Sequence, residues 1–298
     1  MKAPQKLIPG DLISIVAPAK NIDSNLVNNA KELFEKRGYN VEISNHCTDQ
    51  HHYYSGTDRQ RISDFQEALN NRNVRAIVCA RGGYGSIRVF DALDWTGFLE
   101  DPKWIIGFSD ITVFHHLIHT FGVQSIHATM PLNFQENSEM AIETLFSALN
   151  GSSFNIKVQA FNRNIPGSAK GELIGGNLSI IYSLLSSKYC FDFSNKILFI
   201  EDLCEQYYHL DRMLYALKYA GAFNLIKGLI VGGMTDMKDT EVSFGMDAYD
   251  IVLQKVEDLN IPVCFNFPCG HIDDNRAMIL GSEVFFQVSD LNVELSYI

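Results

Sequence analysis

Three polar residues that could carry out acyl-transfer chemistry each follow a strand-like apolar run: Ser109, Glu201 and His271. In open α/β sheets, ligands bind beyond the carboxyl ends of the strands, so these positions favour a common site. A serine would attack a carbonyl carbon, and an imidazole would take and return its proton. A carboxylate would fix the imidazole tautomer and stabilise the imidazolium. The three residues could therefore form a Ser–His–Glu triad.

Ser109 stands at the boundary between a predicted strand and a predicted helix. Ile105 and Ile106 continue a buried run, Gly107 allows a bend, and apolar residues recur at helical spacing from Ile111 onwards. A serine on such a turn projects its hydroxyl above the sheet, as in a nucleophile elbow, although the second glycine of G-x-S-x-G is missing. Serine at this position also suits a helix N-cap, so this stretch alone leaves both interpretations open.

Glu201 and His271 each have a structural alternative. A carboxylate after a strand is often a helix cap or simply solvated, and the adjacent Asp202 could take the role of Glu201. His271 lies in a Gly-His loop, where an imidazole can hydrogen-bond the backbone. Six other histidines suit chemistry less, because three share the predicted Ser109 helix and three lie in a polar loop without recognisable metal-ligand spacing. They are His115, His116 and His119, and His46, His51 and His52.

A glycine-rich turn runs from Arg81 to Gly85 after another strand-like run. Consecutive glycines let backbone N–H groups approach a ligand closely, but the turn matches neither the phosphate loop nor the dinucleotide fingerprint. It could supply an oxyanion hole, with an N–H near Gly83–Gly85 joined by the N–H of Asp110, or it could be only a structural turn. Arg81 or Arg276 could hold a substrate carboxylate through a bidentate pair.

The elements that must position these residues alternate along the first half of the chain. Apolar runs predict strands at 12–17, 41–43, 76–80, 104–106 and 124–127. Helical spacing predicts helices at 24–37, 58–69, 87–93, 109–121 and 139–149. This alternation predicts an α/β fold, with a parallel sheet that is covered on both faces.

The alternation stops between 151 and 170, where Gly, Ser, Asn and Pro punctuate the sequence. We place the domain boundary here, which gives an N-terminal domain at 1–150, a linker at 151–170 and a C-terminal domain at 171–298. The second half restarts with strands at 172–177, 196–200, 229–233 and 262–267, helices at 178–186, 207–220 and 249–259, and β runs at 284–288 and 292–295. The second domain therefore combines crossovers with a β-rich end.

Composition restricts the class of protein. The 298 residues are 46% hydrophobic and 20% charged, an ordinary globular balance, and the net charge of −11 argues against a nucleic-acid or anionic-membrane partner. No apolar run approaches the ~20 residues of a membrane span, and no signal peptide is visible. The six scattered cysteines form no C-x-x-C pair. We therefore expect a cytoplasmic protein with reduced thiols.

Six stretches together resemble the LD-carboxypeptidase family, serine peptidases that include the murein tetrapeptide carboxypeptidases and the microcin C immunity proteins. They are ARGGYG at 80–85, IGFSDIT at 106–112, IHATMP at 126–131, GGNL at 175–178, FIED at 199–202 and GH at 270–271. The similarity runs from the first strand to about Gly281 in the order and spacing of the family. Phe108 stands where tyrosine is frequent, which affects no residue with a catalytic role.

The resemblance implies a role for each matching residue. Ser109 corresponds to the nucleophile, Glu201 to the triad carboxylate and His271 to the base, while Gly85 and Asp110 correspond to the backbone oxyanion donors. The implied fold is a flavodoxin-like N-terminal domain plus a smaller C-terminal β/α domain, with the site in the cleft between them. Members of the family need no metal or cofactor and are usually homodimers.

The reaction implied by the resemblance is hydrolysis of the amide between an L-centre, a diamino acid, and a C-terminal D-amino acid. In peptidoglycan recycling this reaction releases D-Ala from the murein tetrapeptide, a small peptide substrate. A substrate with a free carboxylate needs a cationic or N–H-rich receptor, and the turn that begins at Arg81 is the candidate for it.

Immunity-type members of the same family cleave aminoacyl-nucleotides, whose base needs an aromatic platform. Neither Trp95 nor Trp104 lies in the connection between the two predicted domains, whereas Phe154 and Phe161 do. This observation favours the muropeptide only slightly over an aminoacyl-nucleotide as the substrate.

A non-catalytic protein that binds a small anion, at the glycine turn or at the Ser109 helix N-terminus, is the alternative from a different class. Such a binder has no need for the three triad residues together. A nucleotide-dependent transferase is disfavoured because phosphate-loop signatures are absent.

Overall fold

The computed structural model describes all 298 residues, and the chain divides into two compact units. Unit 1 comprises Met1–Ser152 and Arg276–Ile279, and unit 2 comprises Ser153–Asn275 and Leu280–Ile298. The chain therefore leaves unit 1 after Ser152, returns to it for the short segment Arg276–Ile279 and then leaves it again. None of the helices combines the length and the apolar character that a membrane span requires.

Up to Ser152, strands and helices alternate in chain order. The strands are β1 (Leu12–Val16), β2 (Asn40–Ile43), β3 (Val74–Cys79), β4 (Trp104–Ile106) and β5 (Ser125–His127). The helices are α1 (Ser24–Lys36), α2 (Asp58–Asn70), α3 (Thr96–Glu100), α4 (Thr112–Thr120) and α5 (Glu139–Asn150). Short 3-10 turns lie at Ser86–Arg88, Phe90–Ala92 and Ser109–Ile111.

After Ser152 the chain is richer in strands. These are β6 (Asn155–Gln159), β7 (Gly167–Asn177), β8 (Ile197–Leu203), β9 (Gly228–Thr235), β10 (Val263–Cys264), β11 (Met278–Leu280), β12 (Glu283–Val288) and β13 (Asn292–Tyr297). The helices are α6 (Leu178–Leu184), α7 (Tyr207–Tyr219), α8 (Ala222–Leu225) and α9 (Ala248–Val256).

The sheet of unit 1 has the strand order β11-β5-β4-β3-β1-β2. Neighbouring strands from β1 to β5 are parallel, and their order, 2-1-3-4-5, is that of flavodoxin-like folds. Parallel sheets are covered on both faces, which explains why every residue of β4 is buried. The predicted α/β fold class with a flavodoxin-like N-terminal domain is confirmed.

Capping residues stabilise the start of the helices, and the buried helix faces pack against the sheet. Thr57 and Gln60 form a capping box at the start of α2, so orphan N–H groups there are satisfied. Phe65 of α2 stacks on Phe114 of α4 with ring centroids 4.6 Å apart, and both rings are fully buried. This contact anchors the helix that follows Ser109.

The sheet of unit 2 has the order β10-β9-β8-β7-β12-β13-β6. Strands β7 to β10 pair in parallel, whereas β12, β13 and β6 pair antiparallel. Strand β7 joins the two halves, because it pairs antiparallel with β12 along 167–172 and in parallel with β8 along 173–177. The core packs α6, α7 and α9 against the parallel half. This unit is the smaller β/α domain that was predicted.

The structure differs from the sequence predictions at several places. The stretch 151–170 contains β6 and the first residues of β7. The helix predicted at 87–93 is a pair of 3-10 turns, because so short a run cannot sustain an α-helix without tertiary support. The strand predicted at 262–267 is reduced to β10, because the Phe265 N–H bonds the Asn164 side chain at 2.9 Å instead of a neighbouring strand.

Candidate active site

Ser109 lies on a strained turn directly beyond β4. Its φ is +64°, a left-handed conformation that costs a non-glycine residue about 1–3 kcal/mol. Ser109 does not cap a helix, since the 3-10 turn begins after Phe108 and the residue before α4 is Ile111. The alternative role of Ser109 as an N-cap is therefore wrong. A half-buried serine in this conformation at a strand-to-helix turn is typical of a nucleophile elbow.

The backbone before Ser109 is held by a buried histidine. His115 Nε2 lies 2.9 Å from the Gly107 carbonyl oxygen, and His115 Nδ1 lies 2.8 Å from Ser125 Oγ. Burial lowers the pKa of His115 to about 4, so the ring is neutral near pH 7. A neutral ring can donate to Gly107 from Nε2 and accept from Ser125 at Nδ1. The sequence favours no chemical role for His115, although its position one turn after Ile111 places it on the buried helix face.

The glycine turn packs directly against Ser109. A Cβ on Gly82 would lie 3.0 Å from Ser109 Cβ and 3.3 Å from the Asp110 nitrogen, so a side chain there would press on the elbow. The buried Asp110 carboxylate accepts a hydrogen bond of 2.8 Å from the Ser86 N–H. Burial raises the pKa of Asp110, although the Ser86 and Gly85 N–H groups and Arg61 act to lower it. The Ser86 and Gly85 N–H groups therefore favour the charged form of the Asp110 carboxyl group.

Glu201 and His271 form a close pair in unit 2. Glu201 is fully buried, and its Oε2 lies 2.6 Å from His271 Nδ1 and accepts from the His271 backbone N–H at 3.2 Å. This contact assigns the proton to Nδ1 and leaves Nε2 as the basic nitrogen. Burial acts to lower the pKa of His271, but the charge and hydrogen bond of Glu201 outweigh it, so the pKa of His271 is raised.

The loop that carries His271 is shaped by glycine and by two side chains. Gly270 has φ +97°, and a Cβ there would lie 2.6 Å from Glu201 Cβ and Oε2. The Gly270 N–H donates to Asn275 Oδ1 at 2.8 Å, and Thr235 Oγ1 donates to the His271 carbonyl at 2.7 Å. The close approach of backbone to carboxylate therefore requires glycine at position 270.

Asp202, the alternative carboxylate, is directed away from His271. The pairing register of β8 with β9 shifts between Ile200 and Asp202, a bulge that re-aims the side chains there. Asp202 accepts from Asn177 Nδ2 at 2.9 Å and from the Ser179 N–H at 2.9 Å, in the first turn of α6. Burial, and secondarily Glu201, raise the pKa of Asp202 to about 6. Asp202 therefore anchors the strand while Glu201 contacts the imidazole.

Arg81 begins the glycine turn and is partly buried. Its Nη1 donates to the Asn21 carbonyl at 2.9 Å. Burial lowers the pKa of Arg81, while Tyr53 acts to raise it. Arg276, the other arginine proposed for substrate binding, lies in the short segment that returns to unit 1. In the histidine-rich loop, His46 Nδ1 pairs with Asp64 Oδ1 at 2.7 Å.

The predicted site residues are therefore distributed over the two units. Ser109, Asp110, Gly85 and Arg81 belong to unit 1, where the glycine turn and the elbow touch. Glu201 and His271 belong to unit 2 and touch one another. The association of Ser109 with His271 stays a prediction.

Comparison with known proteins connects both units to one family. Residues 13–128 match the family model of the LD-carboxypeptidase N-terminal domain, and residues 170–285 match that of the C-terminal domain. A probable murein peptide carboxypeptidase of Bacillus subtilis strain 168 is 28% identical over 299 residues, covering 96% of this chain and 92% of the relative.

Solved structures share the fold of this chain over nearly its whole length. The crystal structure of muramoyltetrapeptide carboxypeptidase from Oxalobacter formigenes has a TM-score of 0.87 and 25% identity, and the match covers 96% of this chain and 98% of that one. The microcin C7 self-immunity protein MccF, in complex with aspartyl sulfamoyl adenosine, has a TM-score of 0.85, with 98% of each chain covered. At 20% identity, the latter likeness concerns the fold alone.

Proposed function

This chain belongs to the LD-carboxypeptidase family, and we propose that it is a serine carboxypeptidase that removes D-alanine from the murein tetrapeptide in peptidoglycan recycling. The bond hydrolysed is the amide between an L-configured diamino acid centre and the C-terminal D-residue. The observation that carries this proposal is the 2.6 Å contact between Glu201 Oε2 and His271 Nδ1, which prepares an imidazole as a base. The strained turn at Ser109 supports the assignment of Ser109 as the nucleophile that this base would activate.

In the proposed mechanism, Ser109 Oγ attacks the scissile carbonyl carbon while His271 Nε2 takes the hydroxyl proton. The tetrahedral intermediate collapses, the C–N bond breaks, and His271 gives the proton to the departing amine of D-alanine. Water, deprotonated by His271, then attacks the acyl-serine ester, and the second collapse returns the proton to Ser109. Glu201 stabilises the imidazolium in both halves of the reaction.

The oxyanion of each intermediate needs preorganised donors. We assign the Asp110 N–H, which adjoins Ser109, and a second N–H from the glycine turn, which the family resemblance assigns to Gly85. Because the Gly85 N–H also acts on the Asp110 carboxylate, the Gly83 N–H is the alternative within the same turn. Removing one such donor typically lowers kcat by about 10²–10³-fold.

Release of D-alanine from purified murein tetrapeptide tests the proposal. Wild-type protein should release free D-alanine, and Ser109→Ala should release none above background while keeping its circular dichroism spectrum and Tm, because one oxygen atom is removed. Ser63→Ala, on the exposed face of α2, is the matched control and should retain the wild-type rate.

Two outcomes would contradict the proposal. A Ser109→Ala variant with near-normal turnover would remove Ser109 from the mechanism. A folded wild-type protein that leaves the tetrapeptide intact would direct the assay to aminoacyl-nucleotide amides, and then to binding of small anions without turnover.

Family resemblance also implies a homodimer, and we include this in the proposal. Light scattering coupled to size-exclusion chromatography would give about twice the chain mass of 33.6 kDa for a homodimer. A mass equal to that of one chain at the concentration of the activity assay would contradict it.

A further inference from the structure

Two basic side chains beside the glycine turn have no acidic partner. Arg81 bonds the Asn21 carbonyl through Nη1 at 2.9 Å, and Lys20 contacts the face of an aromatic ring, but neither forms an ion pair. By contrast, Arg88, a few residues further along the same loop, is paired with Asp58. No acidic side chain of the protein therefore neutralises either of these two charges, and both are available to an anionic ligand.

Tyr53 completes the group. Lys20 Nζ lies 4.9 Å from the centroid of the Tyr53 ring, and Tyr53 is close enough to Arg81 to act on its pKa. A Cβ on Gly83 would lie 3.0 Å from Lys20 Cβ and 3.1 Å from the Tyr53 hydroxyl oxygen, so the turn touches both side chains. Tyr53 is 42% exposed, so this residue of the group lies at the surface. We call Lys20, Tyr53 and Arg81 the cationic cluster.

The backbone holds the cationic cluster in place. The Lys20 N–H donates to the Gly82 carbonyl at 3.3 Å, and the Asn21 N–H donates to the Tyr53 carbonyl at 3.2 Å. Because Asn21 also accepts from the Arg81 guanidinium, the three segments that carry the cluster are tied to one another. A receptor whose side chains start from a fixed backbone loses less entropy when it binds.

The cluster lies next to the elbow within unit 1. Gly82 packs on Ser109, and its neighbour Gly83 packs on Lys20 and Tyr53, so the two faces of one glycine pair contact the nucleophile and the cluster. In a substrate cleaved before its last residue, the scissile carbonyl and the terminal carboxylate are separated by that single residue. The turn places the cluster and the nucleophile beside adjacent glycines, as a substrate of this kind requires.

We propose that Lys20, Tyr53 and Arg81 form the receptor for the C-terminal carboxylate of the substrate, and that this receptor makes the enzyme a carboxypeptidase. This inference rests on the proposed function, which named only the Arg81 turn as a candidate. Arg81 supplies a planar fork of donors, Lys20 a mobile point charge and Tyr53 a hydroxyl donor. An internal peptide bond would place a neutral amide at the receptor and leave both cations unpaired.

The burial of Arg81 strengthens this argument. Burial disfavours the charged guanidinium and lowers its pKa, so its charge is poorly solvated when no ligand is present. A bound carboxylate would restore the lost solvation through charge-assisted hydrogen bonds, which are about twice as strong as neutral ones. The gain would be much smaller for a carboxamide of the same shape.

A matched pair of substrates tests the inference. The tetrapeptide ending in D-alanine and the same peptide ending in D-alaninamide are compared by kcat/KM in wild type, Lys20→Met, Arg81→Met and Tyr53→Phe. We expect Lys20→Met and Arg81→Met to lower kcat/KM for the acid by roughly 10–100-fold and for the amide by less than about 3-fold. Arg81→Lys should recover part of the loss, and Lys36→Met, an exposed change on α1, should behave as wild type.

The outcomes separate this inference from the proposed function. If wild type releases D-alanine but the variants lose acid and amide turnover equally, the receptor is wrong and the proposed function stands. If folded wild type cleaves neither peptide, the proposed function fails, and a binding measurement then tests the receptor. In that case N-acetyl-D-alanine should bind Ser109→Ala protein by calorimetry more tightly than its amide. Loss of this preference in Ser109→Ala/Arg81→Met would support the receptor. Equal affinity of Ser109→Ala for the acid and for the amide would overturn it.

Discussion

At the scale of single residues, Glu201 acts on His271 in two ways. Its Oε2 holds Nδ1 at 2.6 Å, which sets the tautomer, and its charge raises the pKa of the imidazole. A base must be unprotonated to accept a proton from Ser109. We therefore expect kcat/KM to rise with pH through the His271 pKa, which lies above its ordinary value of 6.5.

Replacing Glu201 by Gln should move this pH dependence. The amide oxygen can still accept from Nδ1, but the charge that raises the His271 pKa is lost, so the acid limb of the kcat/KM profile should shift to lower pH. The plateau should fall by roughly 10³-fold, because a neutral amide stabilises imidazolium poorly and can select the wrong tautomer. Rates of D-alanine release between about pH 5 and pH 9 measure both effects.

Asp202→Asn is the matched comparison on the same strand. Asp202 also raises the His271 pKa, but more weakly, and it bonds Asn177 and Ser179 instead of the imidazole. Its replacement should shift the acid limb less and retain most of the plateau. An equal shift in both variants would show that Glu201 is not the immediate partner of His271.

At the scale of elements, the loop between β10 and β11 depends on the absence of a side chain at Gly270. Gly270→Ala should lower kcat at least about 10-fold, because the methyl group would meet Glu201 Cβ and Oε2 at 2.6 Å and displace the imidazole. The positive φ of +97° adds a strain of about 1 kcal/mol to the free energy of folding. Turnover and urea denaturation measure the two effects separately.

Gly221→Ala controls for the backbone strain alone. Gly221 has φ +79°, but nothing lies within 4 Å of the position that its Cβ would take. This variant should lose about 1 kcal/mol of stability and keep its activity. If both variants lose the same activity, global destabilisation explains the loss and the local contact does not.

The elements that the sequence predicts well are those whose signal is local. Strands β1, β3 and β4 are mostly apolar runs, and α2 carries its own cap, so neighbouring residues determine them. The register shift at Glu201 and the pairing of β11 arise from contacts between distant parts of the chain. The spacing of apolar residues does not indicate contacts between distant parts of the chain, so the sequence does not predict β11.

In the candidate site too, local features are predictable from the sequence and contacts between distant segments are not. Strand ends pointed to Ser109, Glu201 and His271, because residue type and position alone suggest chemistry there. The left-handed conformation of Ser109 depends on the residues packed around it, and no motif within the chain indicated the bond from His115 to the Gly107 carbonyl. Lys20 and Tyr53 were missed because only the folded chain brings their segments to the glycine turn.

At the scale of the whole molecule, His115, which holds the backbone before Ser109, makes the stability of the protein depend on pH. Its folded pKa of about 4 lies below the ordinary 6.5, so the unfolded chain binds a proton first as the pH falls. The stabilisation is complete above about pH 6.5 and is lost progressively toward about pH 4, by about 3 kcal/mol in total.

His115→Gln should remove this component of the pH dependence. The variant should be less stable than wild type near pH 7, and its Tm should fall less steeply between about pH 6.5 and pH 4. Thermal unfolding followed by circular dichroism across that range is the measurement, with the exposed His51→Gln as control. A slope identical to that of wild type would mean that the pKa of His115 is the same in the folded and the unfolded protein.

The return of β11 to the sheet of unit 1 has a consequence for how the protein is made. The ribosome delivers β1 to β5 first, but the strand that borders β5 is encoded after nearly all of unit 2. Until residue 280 leaves the exit tunnel, the nascent unit 1 carries β5 as an open edge, a surface prone to pairing with other chains. The late arrival of this strand makes maturation of the first unit wait for synthesis of the second.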